Sequence, residues 1–205
     1  MKQIYIWKIH EKYARYWTKE SVDDVKRFGP LYDKALNYFD QKNNPLELPQ
    51  WDPPILKEQM ERGRPGRKGD MHSTWGGYGH LLSQNMVDEI GDILEQYGVL
   101  LPCEVEDRED KLYRYWITNE IPFECLDLTK SILYGKEDER HKTFLVKKAV
   151  FNDDCYDGSI IFCIAKEYKR TYFVTDEFIE LLKKHKLKGF MFEKEFHEDK
   201  PVLLG

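Results

Sequence analysis

Two runs of strand-forming residues lie close together in the middle of the chain. Residues 99–105 and 112–118 (LYRYWIT) are rich in aliphatic and aromatic side chains, and the charged residues 106–110 separate them. Two such runs joined by a short polar segment are typical of a β-hairpin. Before them, Ser83 suits a helix N-cap, and apolar residues recur at helical spacing until Gly98, the expected left-handed C-cap. The sequence therefore predicts a helix that leads into a hairpin.

Further strands are indicated on both sides of this unit. Residues 3–10 (QIYIWKIH) form a nearly continuous apolar run, which is typical of a strand buried on both faces. Residues 143–151, 159–165 and 171–174 continue the strand pattern, and residues 31–41 have the spacing of a short amphipathic helix. Strands and helices do not alternate regularly, so we predict an α+β fold with a largely antiparallel sheet and packed helices.

The segment between residues 42 and 70 has a different composition. It contains five of the nine prolines and three glycines, which disfavours a helix or a central strand. We predict an excursion in which the first part packs on the body and residues 61–69 are mobile. The apolar residues expected to pack are Leu46, Leu48, Trp51, Ile55 and Leu56. Residues 1–70 are then an N-terminal strand, helix and proline-rich excursion, and residues 71–205 are an α+β domain, unless the two form one continuous domain.

A basic run closes the last predicted helix. Residues 183–188 (KKHKLK) contain four lysines and one histidine. Thr175 suits the N-cap of this helix, and Gly189 can take the left-handed position that ends it. Lysines in the last turn complement the negative end of the helix dipole. We therefore interpret the run as a helix end and not as a phosphate site.

The composition limits the partners and the compartment. The chain has 205 residues, of which 41% are hydrophobic, and a formal net charge of -5. That charge argues against a nucleic-acid partner, since nucleic-acid-binding domains usually carry a basic excess. No run approaches the roughly 18 apolar residues of a membrane-spanning helix, and the N-terminus lacks the apolar core of a signal peptide. We expect a cytoplasmic protein with no membrane or nucleic-acid partner.

The cysteines do not form a metal-binding or redox motif. The chain has four, at positions 103, 125, 155 and 163, and no two of them are spaced as Cys-x-x-Cys. A zinc ribbon and a thioredoxin motif are both excluded by that spacing. We expect reduced, mostly buried thiols, which is the usual state of cysteine in the cytoplasm.

One segment gathers residue types that bind metals. Asp70, His72 and His80 lie within residues 69–83 (GDMHSTWGGYGHLLS), and carboxylate and imidazole groups suit a hard or borderline ion. Their spacing matches no metal motif, and no nucleophile elbow, dinucleotide or phosphate-loop pattern occurs. We therefore predict no metal, no cofactor and no catalytic residues. A metal-assisted hydrolase or transferase that uses these three side chains is the alternative function.

Carboxylates are concentrated at the end of the first predicted hairpin strand and in the turn that follows it. They are Glu104, Glu106, Asp107, Glu109 and Asp110. A solvated turn between strands is the simpler interpretation. A docking surface for a cationic partner is the other, because complementary charge accelerates association. Residue spacing alone leaves both open.

Two blocks of the chain resemble a known family. Residues 81–131 and 159–196 are similar to bacterial immunity proteins of polymorphic toxin systems, a family long catalogued only as a domain of unknown function. The motifs that carry the resemblance are Leu82-Ser83, Leu101-Pro102, Tyr113 and Tyr115 with Asn119, Leu126-Asp127, Ser131, Val174-Thr175-Asp176 and the run from Leu187 to Phe192.

The resemblance implies an antidote role. Such a protein binds a cognate toxin, encoded next to it, and neutralises that toxin without catalysis. The matching motifs are fold-making residues, so the resemblance assigns no catalytic residue and no toxin-binding residue. Our prediction that the acidic turn docks the toxin comes from its charge alone.

Overall fold

The fold is described from a computed structural model of the chain. It describes residues 3–10, 13, 15–18, 55–58, 66–74, 80–109, 111–134, 145–152, 154–165, 167, 171–194 and 202–204. The predicted helix over residues 31–41 lies outside these residues, as does the larger part of the segment from 42 to 70.

Helices and strands are mixed along the described chain. The helices are α1 (Gln84–Leu94), α2 (Asp176–Lys184) and a short 3-10 helix at Phe123–Cys125. The strands are β1 (Ile4–Ile9), β2 (Arg15–Thr18), β3 (Ile55–Glu58), β4 (Met71–Thr74), β5 (His80–Ser83), β6 (Gly98–Val105), β7 (Leu112–Ile117), β8 (Glu120–Ile121), β9 (Ile132–Tyr134), β10 (Leu145–Lys148), β11 (Ile161–Ile164), β12 (Phe173–Thr175), β13 (Phe190–Glu193) and β14 (Val202–Leu204). The predicted α+β class is confirmed.

Six strands form an open sheet in the order β14-β13-β1-β12-β11-β8. Neighbouring strands are antiparallel except for β11 and β8 at one edge. β1 lies between β13 and β12, and its side chains alternate between two core clusters: Tyr5 and Trp7 belong to one, and Ile6 belongs to the other. The prediction of a strand buried on both faces is therefore confirmed.

Another six strands close into a barrel in the order β2-β3-β6-β7-β5-β4. The predicted hairpin is part of it: β6 and β7 are antiparallel, in a register that runs from Gly98 opposite Ile117 to Cys103 opposite Leu112. β2 and β3, from the first 70 residues, complete the barrel through parallel pairs with β4 and β6. A separate two-stranded sheet contains β9 and β10.

The strand β3 corrects the prediction for residues 42–70. We expected no central strand there, but Ile55–Glu58 pairs on both sides, with β2 and with β6. These four residues contain no proline, so all four backbone N–H groups remain available for pairing. Leu56 is buried at 2% exposure, as expected, whereas Ile55 is 41% exposed and does not pack in the core. Residues 66–69 of the expected mobile stretch are described, and Arg67 forms a bridge with Tyr13.

α1 begins as the sequence predicts but ends earlier. The Ser83 hydroxyl accepts a hydrogen bond from the Met86 backbone N–H at 3.1 Å, which confirms the N-cap. The helix ends at Leu94 with Glu95 as its C-cap, and Gly98 already belongs to β6. A glycine is needed at position 98 for close approach, because a Cβ there would lie 2.4 Å from the Trp116 carbonyl oxygen. The prediction of a C-cap at Gly98 is therefore wrong.

α2 begins where the sequence predicts but ends before the predicted glycine. Thr175 is the N-cap residue, although its side chain makes no capping hydrogen bond. Lys183 and Lys184 lie in the last turn, where they complement the helix dipole. Lys186, directly after the C-cap His185, takes the left-handed conformation with φ of 55°, and the Leu187 N–H donates to the Leu182 carbonyl oxygen at 3.0 Å. Gly189 is also left-handed, with φ of 104°, but it lies beyond the helix end, so the prediction that Gly189 ends the helix is wrong. The basic run is a helix end followed by a tight return into β13.

The largest core cluster contains residues from the open sheet, the barrel and both helices. Trp7 and Phe190 come from the sheet, Tyr115 from the barrel, Met86 from α1 and Phe178 from α2. A second cluster covers the other face of the open sheet, and a third lies among barrel strands. Neither α-helix that the structure describes is both long enough and apolar enough to cross a membrane.

Candidate functional site

Backbone hydrogen bonds hold residues 106–108, the described first part of the turn between β6 and β7. The Glu106 N–H donates to the Leu56 carbonyl oxygen at 2.8 Å, and the Arg108 N–H donates to the Val105 carbonyl oxygen at 3.3 Å. Asp107 takes a left-handed conformation with φ of 59°, which aspartate tolerates better than most residues. The turn is therefore tied to β3 as well as to its own hairpin.

The Arg108 side chain connects this turn to the neighbouring strands β2 and β3, and we call these contacts the brace. Its Nη1 atom donates to the Tyr16 hydroxyl at 3.1 Å and lies 3.7 Å from Oε2 of Glu58. Tyr16 is 2% exposed, so the brace ends on a fixed side chain of the barrel. On the outer side, Nζ of Lys57 lies 3.3 Å from Oε2 of Glu106. Arg108 and Tyr16 are 92 positions apart, and the only sequence signal for the brace was a lone arginine in an acidic turn.

Three of the predicted carboxylates point into solvent. Glu104, Asp107 and Glu109 are exposed, and no hydrogen bond or ion pair joins their side chains to another residue that the structure describes. Ile55 lies next to Glu104 in the parallel register of β3 and β6 and is 41% exposed. We call these four side chains the acidic hairpin surface. Of the other predicted residues, Glu106 is partly buried in its ion pair, and Asp110 lies outside the described residues.

Asp70, a residue of the alternative metal site, has a structural role. Its Oδ1 atom accepts hydrogen bonds from the Ser83 hydroxyl at 2.9 Å and from Nδ2 of Asn85 at 2.8 Å. Its Oδ2 atom accepts from the Lys188 backbone N–H at 2.8 Å. Both carboxylate oxygens are therefore used to join the start of α1 to the segment that follows α2.

The two histidines of the alternative site point away from each other. The register of β4 and β5 pairs His72 with Leu81, the residue after His80, so the histidines lie on opposite faces of the strand pair. His72 packs edge-on against Tyr16, with ring centroids 5.3 Å apart. His80 packs edge-on against Trp7 on the other face, with ring centroids 4.8 Å apart.

The structure therefore does not bring Asp70, His72 and His80 together. Within the described part of the chain, no group of three or more His, Cys, Asp or Glu side chains could hold a metal ion. Strand alternation is the physical reason for the separation of the histidines, and it could not be read without the register. The metal-assisted alternative stays a prediction that this geometry does not favour.

The cysteines correct another expectation. Cys125 and Cys155 form a disulfide with Cα atoms 5.3 Å apart, so the prediction of reduced thiols is wrong for this pair. Cys103 and Cys163 are free and buried, as expected. Burial raises the pKa of the Cys103 thiol to about 11, so that it stays protonated and weakly nucleophilic at neutral pH.

Comparison with known proteins leaves the family open. No protein-family model matches this chain, and no curated protein matches it. The resemblance of residues 81–131 and 159–196 to immunity proteins therefore stays a prediction. The toxin partner, the cytoplasmic location and the domain boundary at residue 70 also stay predictions.

Proposed function

We propose that this chain is a non-catalytic immunity protein that binds a cognate bacterial toxin and neutralises it by non-covalent inhibition. The observation that carries the proposal is the acidic hairpin surface. Its three carboxylates are exposed at the end of β6 and on the turn that follows, where hydrogen bonds hold the backbone of Glu106 and Arg108 and the Arg108 side chain contacts the buried Tyr16. A hydrogen-bonded backbone beneath the docking side chains favours binding, because less backbone conformational entropy is lost when the partner arrives.

The chemistry of this surface defines the partner that it would accept. Three carboxylates without a described partner favour a basic surface on the toxin, since complementary potentials steer the encounter and suppress wrong partners. Ile55 adds an exposed apolar side chain beside Glu104, which suits the apolar centre that protein interfaces usually have. The resemblance in residues 81–131 and 159–196 supplies the class of partner, a protein toxin.

Co-expression tests the antidote role directly. The candidate toxin encoded next to this chain is expressed alone and together with it, and cell survival is measured. Protection is expected when both proteins are present at comparable levels. Cells that die equally fast with and without this chain would show that the proposal is wrong.

Charge variants test the docking surface. The triple variant Glu104→Lys, Asp107→Asn, Glu109→Lys removes the negative charge of this surface. Asparagine is chosen at position 107 because it also tolerates the left-handed conformation. Association with the toxin is expected to slow about tenfold or more, with a weaker dependence on salt concentration. The control is Asp88→Asn, Asp92→Lys, Glu95→Lys on α1, because these residues are also exposed and the formal charge changes equally. Equal association rates for the two variants would exclude the hairpin from the interface.

A substitution at Ile55 distinguishes electrostatic steering of the toxin from direct contact with it. Replacing Ile55 with Ala removes exposed apolar surface without changing charge, so the association rate should stay nearly constant. Dissociation should become about fivefold faster or more if Ile55 lies in the interface centre, since contact losses act mainly on the dissociation rate. An unchanged dissociation rate would place Ile55 outside the contact area.

A further inference from the structure

The disulfide joins two segments that cover one face of the open sheet. Cys125 ends the 3-10 helix that follows β8, and Cys155 lies 30 positions further along the chain. Cys125 is 2% exposed and belongs to the second core cluster, whereas Cys155 is exposed. One half of the bond is therefore held in the core, and the other half is accessible from solvent.

The same two segments are also joined by non-covalent contacts. Leu126 and Phe151 form an antiparallel bridge. The Asn152 N–H donates to the Cys125 carbonyl oxygen at 2.9 Å, and the Asp127 N–H donates to the Val150 carbonyl oxygen at 2.7 Å. These contacts do not depend on the sulfur atoms. They would keep the two cysteines close together after the disulfide had been reduced.

We propose that Cys125 and Cys155 are a reversible redox clasp that exchanges with low-molecular-weight thiols of the glutathione class. Two features support it. An exposed disulfide is more open to attack and more easily reduced than a buried one, and Cys155 supplies the exposed half. The bridge between Leu126 and Phe151 holds the segments in register, so the reduced thiols are placed to bond again.

Thiol–disulfide exchange with glutathione reduces the bond in two steps. A glutathione thiolate attacks Sγ of Cys155, the S–S bond breaks, and a mixed disulfide forms on Cys155 while Cys125 leaves as a thiolate and takes up a proton. A second glutathione thiolate then attacks the glutathione sulfur of the mixed disulfide and releases the Cys155 thiolate, which is also protonated. Two glutathione molecules are oxidised to one glutathione disulfide, and the protein disulfide is reduced to two thiols. The oxidation runs in reverse with glutathione disulfide as the oxidant.

The reduced chain should remain folded, with a looser turn around Cys155. The Cys155 N–H donates to the Asn152 carbonyl oxygen at 3.1 Å. Tyr156 packs on Phe151 and Phe162, with ring centroids 5.7 and 5.5 Å apart. These contacts hold the turn, and the largest core cluster contains neither cysteine of the pair. Reduction should therefore lower the free energy of unfolding and accelerate amide hydrogen exchange near Cys155, without unfolding the chain.

Thiol trapping of the wild-type protein tests the proposal. The folded protein is equilibrated in glutathione buffers from fully reducing to fully oxidising, quenched with acid, denatured, alkylated and analysed by peptide mass spectrometry. Denaturation is needed because Cys125 is as buried as the free thiol of Cys103. Cys125 and Cys155 should change together from alkylated to protected within this range, whereas Cys103 and Cys163 should be alkylated in every buffer. Two results would overturn the proposal: a pair that is alkylated in every buffer, and a bond that survives the most reducing buffer.

Variants show whether the clasp changes stability. Reduction of the wild type should lower Tm by about 10 °C, given the loop that the bond closes and the size of the chain. Cys155→Ser should show the lower Tm in both buffers and no further change on reduction. The controls Cys103→Ala and Cys163→Ala should keep the redox-dependent shift, because these thiols lie outside the pair. A redox-dependent shift that persists in Cys155→Ser would contradict the proposal.

Discussion

The Asp70 carboxylate accepts a hydrogen bond from the Ser83 hydroxyl at 2.9 Å, and the same hydroxyl accepts one from the Met86 N–H as the N-cap of α1. Asp70 thus orients the group that caps the helix. Its other bonds come from Asn85 and from the backbone of Lys188. One partly buried side chain therefore fixes the start of α1 against the segment that leads into β13.

Removal of this carboxylate should destabilise the fold. Asp70→Ala leaves the hydroxyl of Ser83, the amide of Asn85 and the N–H of Lys188 without their acceptor. We expect the free energy of unfolding to fall by about 2–3 kcal/mol, measured by urea denaturation. Asp88→Ala is the control, because Asp88 is exposed and accepts one bond from Gln84, and its effect should be within about 0.5 kcal/mol. Equal stability of the two variants would mean that Asp70 does not hold these segments together.

Gly189 and Gly158 form a matched pair for a test of steric crowding. Both have positive φ, 104° and 85°. A Cβ on Gly189 would lie 3.1 Å from the Met71 carbonyl oxygen, whereas a Cβ on Gly158 would meet nothing within 4 Å. Gly158→Ala should cost about 1–2 kcal/mol from the left-handed backbone alone. Gly189→Ala should cost about 1 kcal/mol more, and equal losses in thermal unfolding would show that the chain relaxes around position 189.

Local signals made part of this fold predictable. The hairpin of β6 and β7 and the N-cap at Ser83 follow from neighbouring residues, so both could be predicted. Gly98 carried the same local signal as a C-cap glycine, but its contact with the Trp116 carbonyl is a tertiary constraint. A close approach between distant segments leaves no mark in the sequence around either of them.

The candidate site also depends on contacts between distant segments that could not be predicted from the sequence. The acidic turn itself was visible in the sequence, but its brace depends on Tyr16, which reaches Arg108 only because β2 and β3 close the barrel. Four cysteines allow three pairings, and the pairing of Cys125 with Cys155 depends on tertiary contacts such as the bridge between Leu126 and Phe151. The charged residues could therefore be predicted from the sequence, but the contacts of Arg108 with Tyr16 and Glu58 could not.

The Arg108 contacts should contribute more to the free energy of unfolding than the ion pair of Lys57 with Glu106. Arg108→Ala removes a bond to the buried Tyr16 and an ion pair with Glu58, so the free energy of unfolding should fall by about 1–2 kcal/mol. Amide exchange in the turn should accelerate as well. Arg108→Lys should recover only part of the loss, because an ammonium group lacks the planar fork that reaches two partners.

Lys57→Ala is the matched control for this comparison. The Lys57 side chain is 66% exposed in its pair with Glu106, and exposed pairs contribute little. Its unfolding free energy should stay within about 0.5 kcal/mol of the wild type. A larger loss for Lys57→Ala than for Arg108→Ala would show that the outer pair holds the turn.

Acid titration should reveal an unusually acidic carboxyl at Asp127. The Lys130 ammonium and the Thr129 hydroxyl and N–H bond its carboxylate and lower its pKa from 3.8 to about 2. Because the folded-state pKa lies below the unfolded one, the ionised form favours folding. The stabilisation is fully present above pH 3.8 and is lost as the pH falls through about 2. Carboxyl NMR shifts should give this titration directly, and the stability difference between the wild type and Asp127→Asn should shrink over the same interval. A titration midpoint near 3.8 would show that Lys130 and Thr129 do not hold the carboxylate in solution.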